Sequence, residues 1–131
     1  MVVIAVLKHM NKRLFVSLNK RKNLLVENFI WQGYRLSCYH TKGRIISKAN
    51  FSFVLNNKGF PREIYISYME TKEEYRNKGY GKILVDFLKA LAKASKLPIS
   101  LISYEESKRF WKKCGFRVVR KENLEMCWKP D

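Results

Sequence analysis

The chain has 131 residues, the size of one ordinary domain, and this length is enough to bury a core without metal or disulfide support. It carries 27 Lys and Arg against 11 Asp and Glu, and the formal net charge of +16 attracts phosphates, nucleic acid or acidic protein. Its three cysteines show neither CxxC nor mixed Cys/His spacing, which argues against a disulfide framework or a zinc site. A basic surface that only confers solubility explains the charge equally well.

The N-terminal run MVVIAVL is apolar but short, and neither a preceding positive residue nor a cleavage signal accompanies it. It predicts a buried strand rather than a secretory signal or a membrane span. We therefore expect a cytoplasmic protein that folds as one domain over residues 1–131, makes no membrane contact and binds no metal.

Residues 8–31 mix apolar positions with lysines at spacings that suit one or two short amphipathic helices, although RLFVSL alone could form a strand. GYRLSCYH and RIISKANFSFVL alternate apolar and polar residues around TKG, so they predict two antiparallel strands. After a turn at NNKGFP, the run REIYISYMET predicts a third strand. Its alternation places Ile64, Ile66 and Tyr68 on one face and Tyr65, Ser67, Met69 and Thr71 on the other.

The strongest helix signal follows, where apolar residues recur at four-residue spacing from a start near Gly81. These residues are Ile83, Leu84, Phe87, Leu88, Leu91 and Ala92. SKLPISLIS then predicts a short buried strand, EESKRFWKKC a short helix ending at Gly115, and FRVVR with EMCWK a closing antiparallel pair. This order is typical of a layered α+β or α/β fold with helices on a largely antiparallel sheet.

Two glycines, Gly79 and Gly81, interrupt the chain between the third strand and this helix. A helix N-terminus has unpaired N–H groups and a favourable dipole, and bare backbone lets an anion approach it. Arg76, Lys78 and Lys82 add positive charge, so the segment predicts a pyrophosphate site. A glycine loop that merely turns the chain is the alternative. The spacing is neither GxGxxG nor GxxxxGK[ST], which disfavours a dinucleotide-binding Rossmann unit and a Walker loop.

YRNKGYG matches the R/Q-x-x-G-x-G/A signature of the GNAT superfamily of acyl-CoA-dependent N-acyltransferases. SKRFWKKCGF resembles the second landmark of that family, with Phe110, Trp111, Gly115 and Phe116 in the matching positions. The resemblance covers roughly residues 33–129. It implies a three-layer α/β/α form of the α+β class, with a mixed, mostly antiparallel sheet that splays between central strands four and five.

The resemblance also implies acetyl-CoA as the acyl donor. Its pyrophosphate would rest on the backbone N–H groups between Asn77 and Lys82, with Arg76 closing the loop, while its pantetheine arm would pair with backbone atoms of Met69 and Thr71. The cofactor contacts expected from the resemblance are Met69, Thr71, Arg76, Asn77, Lys78, Gly79, Tyr80, Gly81 and Lys82.

The catalytic residues are less defined. Many members of the family protonate the leaving thiolate with a tyrosine of the second landmark, but this chain has Trp111 there, whose indole only donates hydrogen bonds. We expect Tyr104 to serve as the proton donor, with Cys114 as the next candidate; a half-buried structural aromatic is the other interpretation of Tyr104. The general base stays open among Glu63, Glu70, Glu105, Glu106, His40 and ordered water.

The resulting hypothesis is an N-acetyltransferase that acts on a primary amine. The resemblance implies that the acceptor site is built by the region before residue 31, where basic residues are interleaved with apolar ones. This charge favours an acidic acceptor, such as RNA, a nucleotide-linked amine or an acidic protein tail, although a small acceptor fits the short chain equally well. The protein would act as a monomer or a homodimer. The alternative function is a non-catalytic module that binds CoA or nucleic acid, and Trp111 is the residue that supports it.

Overall fold

The computed structural model of the protein describes residues 13–19, 22–28, 33–40 and 45–131. In these residues eight strands form one sheet: β1 (Arg13–Asn19), β2 (Lys22–Asn28), β3 (Gly33–His40), β4 (Ile45–Leu55), β5 (Pro61–Thr71), β6 (Ile99–Ile102), β7 (Arg117–Arg120) and β8 (Glu125–Trp128). The helices are α1 (Tyr80–Ser95) and α2 (Lys108–Lys113), with 3-10 turns at Glu73–Tyr75 and Glu105–Ser107. The strand predicted at MVVIAVL lies outside the described residues.

The spatial order of the strands is β1-β2-β3-β4-β5-β6-β8-β7. Only β5 and β6 run parallel, and every other neighbouring pair in the described sheet is antiparallel. α1 connects the parallel pair and packs over β3, β4 and β5. The fold is therefore the α+β arrangement that the sequence predicts, with a mixed and mostly antiparallel sheet.

The helices predicted within residues 8–31 are wrong for the part that the structure describes. β1 and β2 form an antiparallel pair there, with Leu14 opposite Val26 and Val16 opposite Leu24. β2 in turn pairs with β3, so its backbone supplies the hydrogen bonds that the edge of β3 needs. In short windows, apolar residues interleaved with lysines fit both the helical and the strand periodicity. Pairing with the neighbouring sheet selects the strand.

α1 buries the apolar stripe predicted for it, but the buried face is rotated slightly from the predicted one. Leu84, Leu88 and Val85 are fully buried, whereas Ile83 is only half-buried. The stripe packs on the sheet face that carries Phe51 and the other buried strand residues. Truncating a fully buried leucine such as Leu88 to alanine costs about 2–5 kcal/mol, so this packing holds the start of α1 against the sheet. No helix in the described ranges is long and apolar enough to cross a membrane.

The sheet opens between β5 and β6, which take the places of central strands four and five in the layout that the GNAT resemblance implies. Their pairing extends only from Ile64 opposite Ile99 to Ile66 opposite Leu101. β5 continues for five more residues, which pair with β4 on one side up to Thr71. The other edge of β5 beyond Ile66 therefore carries no strand among the described residues.

A β-bulge in β5 corrects the predicted faces of this strand. Ile66 lies opposite Phe51 and Tyr68 lies opposite Asn50, so Ser67 is an extra residue. Residues after the bulge change sides: Met69 packs against the core below α1, and Tyr68 is 41% exposed on the opposite face. The prediction that Tyr68 shares a face with Ile64 and Ile66 is wrong, because strict alternation cannot include an inserted residue.

Candidate functional site

Among the described residues, the position before α1 makes no side-chain capping hydrogen bond. Gly79 precedes the helix with a φ of 84°, and Asn77 also has a positive φ, of 62°. The first turn contains no acidic residue, so no carboxylate of its own competes with a bound anion there. Because the first N–H groups of a helix lack intrahelical acceptors, those of Gly79, Gly81 and Lys82 remain available to an anion.

The two glycines have different local roles. Gly79 has open space around its Cα and is required for its left-handed backbone conformation. A Cβ on Gly81 would lie 3.3 Å from Phe110 Cζ and 3.5 Å from Met69 Cε. Gly81 therefore makes room for α2 and β5 to approach the start of α1, in addition to exposing its backbone.

The cationic side chains predicted around this turn differ in what they already bind. Arg76 Nε donates to the Thr71 carbonyl at 3.1 Å, so the guanidinium ties the loop to the end of β5. Lys82 Nζ lies 2.8 Å from Asp86 Oδ2 one turn along α1, and this hydrogen bond raises the pKa of Lys82. The positive charge at the mouth of the turn is thus held mainly by Arg76 and the exposed Lys78.

A cavity of about 820 Å³ extends from the start of α1 along the open edge of β5. It is lined by all of the predicted cofactor contacts except Lys78, namely Met69, Thr71, Arg76, Asn77, Gly79, Tyr80, Gly81 and Lys82. Two aromatic pairs frame it: Tyr75 meets Tyr80 edge-on with ring centroids 5.8 Å apart, and Phe110 meets Trp111 at 5.1 Å. The cavity is therefore cationic at one end and partly apolar along its length.

A smaller cavity of about 70 Å³ lies in the fork between β5 and β6. Tyr104 lines it and is 71% exposed, and Trp111 lines both cavities. Trp111 is 6% exposed and meets Phe116 edge-on at 5.1 Å, so it forms part of the wall. Cys114 is buried and lines neither cavity, and burial raises the pKa of its thiol.

The carboxylates proposed as bases differ in which cavity they line. Glu70 and Glu106 line the larger cavity, whereas Glu63 lies in a separate groove, 3.6 Å from Arg62. Glu105 lines none of these cavities, and the His40 side chain lies outside the described residues.

Glu70 differs from the other carboxylates because it has a hydrogen-bond partner that the sequence did not reveal. The Tyr68 hydroxyl donates to Glu70 Oε2, and this hydrogen bond is the main cause that raises the pKa of Tyr68. Tyr68 lines both cavities, so the pair lies where the two cavities meet. Only the bulge at Ser67 brings Tyr68 to this side, and no local sequence signal marks that position.

No cluster of three or more metal-ligating side chains exists in the part of the chain that the structure describes.

Comparison with known proteins decides the family. The sequence model described as the Acetyltransferase (GNAT) family matches residues 6–116. The chain belongs to the GNAT family. An N-acetyltransferase of Halalkalibacterium halodurans is 43% identical over 51 residues, and one of Staphylococcus aureus is 35% identical over 75 residues. These alignments cover 39% and 54% of this chain but only 28% and 49% of the two relatives.

Solved structures agree with the fold. The Bacillus subtilis N-acetyltransferase YlbP in complex with coenzyme A superposes with a TM-score of 0.57 at 27% identity, covering 74% of this chain and 68% of that one. A Trypanosoma brucei acetyltransferase gives a TM-score of 0.62 at 25% identity, covering 69% and 66%. The GNAT resemblance of the glycine loop and the FWKKCGF segment is thereby confirmed.

Proposed function

We propose that this GNAT protein transfers the acetyl group of acetyl-CoA to a primary amine. The observation that carries the proposal is the continuous cavity that joins a cationic helix start to an open strand edge. Its volume is within the range of small-molecule sites. Family membership and the likeness to a structure in complex with coenzyme A support the same donor.

The helix start fits the pyrophosphate of this donor. The N–H groups of Gly79, Gly81 and Lys82 would donate to its oxygens, and the guanidinium of Arg76 keeps its Nη groups for a further contact. Lys78 adds charge from outside the cavity. Along the open edge of β5, backbone groups between Met69 and Thr71 would pair with the pantetheine amides, as in strand addition.

The residues at the fork supply the proton steps. Glu70 accepts the proton that the amine loses as its nitrogen forms a bond to the thioester carbonyl carbon. As the carbon–sulfur bond breaks, Tyr104 gives its proton to the departing thiolate and regains one from solvent. The products are an N-acetyl amine and the CoA thiol. Tyr104 suits this role better than Tyr68, because the bond to Glu70 raises the pKa of Tyr68 and engages its proton.

A thiol-release assay with acetyl-CoA and a panel of amine, peptide and RNA acceptors tests this function. Release that depends on an acceptor amine is the expected result. CoA binding without turnover on any acceptor would instead favour a non-catalytic CoA-binding module, in which Trp111 replaces the proton donor of the second landmark. Calorimetry with CoA and with pantetheine tests the donor site, since equal affinity for both would show that the pyrophosphate does not contribute to binding.

A further inference from the structure

Polar residues form two rows across β3, β4 and β5, beside the point where Glu70 and Tyr68 reach the cavity. The strand register aligns Ser37, Lys48 and Glu70 in one row and Arg35, Asn50 and Tyr68 in the next. Between these rows, Leu36, Ala49 and Met69 point to the opposite face, below α1. The two rows therefore share the sheet face that α1 does not cover.

The row that contains Glu70 places opposite charges side by side without pairing them. Lys48 lies directly opposite Glu70, where Cβ atoms are about 5 Å apart. Within the described residues no ion pair joins them, because Glu70 accepts a hydrogen bond from Tyr68 instead. Lys48 as a whole residue is half-exposed. It is therefore a charge that a ligand bound at Glu70 would meet.

The neighbouring row contains a buried hydrogen-bond acceptor beside this pair. Asn50 Oδ1 is buried and accepts no hydrogen bond from the residues that the structure describes. Asn50 lies opposite Tyr68, next to Lys48 along β4 on this face. Because Oδ1 has no exposed surface, Asn50 makes the interior beside the Lys48–Glu70 pair polar and does not itself reach a ligand.

We propose that the acceptor is a small primary amine that carries a carboxylate or phosphate a few bonds from its nitrogen, an inference that rests on the proposed acetyl transfer. Glu70, positioned by Tyr68, holds the amine. Lys48 binds the anionic group. A separation of about one strand spacing between the two charges matches an amino-acid-like molecule better than a simple alkylamine or a diamine.

The test is acceptor selectivity in the thiol-release assay, with 3-aminopropanoate, 2-aminoethyl phosphate, 1-aminopropane and 1,3-diaminopropane as matched amines. We expect kcat/KM for the better anionic amine to exceed that for 1-aminopropane at least about 10-fold. The ratio between the two anionic amines separates a carboxylate from a phosphate substrate. Lys48→Met should remove the preference, and Lys48→Glu should reverse it towards the diamine.

Lys58→Met is the control, because Lys58 is an exposed lysine in the turn between β4 and β5, and it should retain the preference. Equal turnover of all four amines, a preference that survives Lys48→Met, or turnover only on RNA or a protein tail would overturn the inference. If no acceptor is acetylated, the proposed function fails separately. Calorimetry of 3-aminopropanoate with CoA-saturated protein then decides the inference, since binding that does not depend on Lys48 contradicts it.

Discussion

The two ends of the large cavity are built in different ways. The donor end is one continuous segment, in which Gly79, Gly81 and the cations around them are neighbours in sequence as well as in space. The proposed acceptor end combines Tyr68 and Glu70 on β5 with Tyr104 after β6, which lines the adjoining smaller cavity, and it depends on the divergence of the two strands. Local chemistry therefore specifies the proposed donor site, whereas strand register specifies the proposed acceptor site. The variants below probe each end by itself.

Gly81→Asp should have the largest effect, and that effect should fall on the donor end. The new carboxylate would repel the pyrophosphate, and its Cβ would press on the Phe110 ring from 3.3 Å. A like charge at a binding site costs several kcal/mol, so we expect CoA affinity to fall more than about 100-fold by calorimetry. Gly59→Asp, at a turn glycine outside the cavity, is the control for an added charge. Retained affinity in Gly81→Asp would place the pyrophosphate elsewhere.

Tyr104→Phe should lower the rate of the reaction without weakening donor binding. It removes one hydroxyl from a residue that is 71% exposed, so the fold and CoA affinity should persist while kcat falls about 100-fold, the lower range for losing a general acid. Steady-state kinetics and calorimetry on the same sample measure both quantities. Tyr65→Phe, in the separate groove beside Glu63, provides a matched control. Unchanged kcat in Tyr104→Phe would transfer the proton donor role to another group.

Arg76→Ala should weaken the donor end by a smaller amount. The side chain supplies a cation to the cavity and a 3.1 Å hydrogen bond to the Thr71 carbonyl. Losing one charge-assisted contact at an exposed position should lower CoA affinity about 10-fold, and added salt should reduce the difference between variant and parent. Affinity for pantetheine should stay constant. Arg62→Ala controls for the loss of one charge, and an equal loss in both variants would indicate long-range attraction only.

Lys89→Met should give the smallest effect, a loss of stability where α1 contacts the chain after α2. Lys89 Nζ donates to the Cys114 carbonyl after α2 and lies 5.1 Å from the centre of the Trp128 ring. Removing this contact should lower the free energy of unfolding by about 1 kcal/mol, measured by urea denaturation. Lys93→Met, on the exposed side of the same helix, should change it little. Equal stability of the two variants would show that the Lys89 contact does not hold α2.

Parts of the site that depend on local sequence could be predicted before the structure. The helix that starts near Gly81, the two glycines at its start and the cations beside them follow from periodicity and glycine chemistry, and the GNAT resemblance implied the donor. The pairing of Tyr68 with Glu70 could not be predicted, because it needs the inserted Ser67. The helices expected before residue 31 also failed, since β1 and β2 owe their form to the neighbouring sheet.

The amino-acid sequence by itself determined the α+β order of elements after residue 33, the apolar stripe of α1 and the cationic helix start, because each depends on residues within a few positions of one another. Only the tertiary structure decided which side chains reach the fork. The early end of the β5–β6 pairing, the bulge at Ser67 and the rows that join Lys48 to Glu70 are properties of strand register. A one-residue shift exchanges the faces of a strand at little local energetic cost, so distant pairing has to select it.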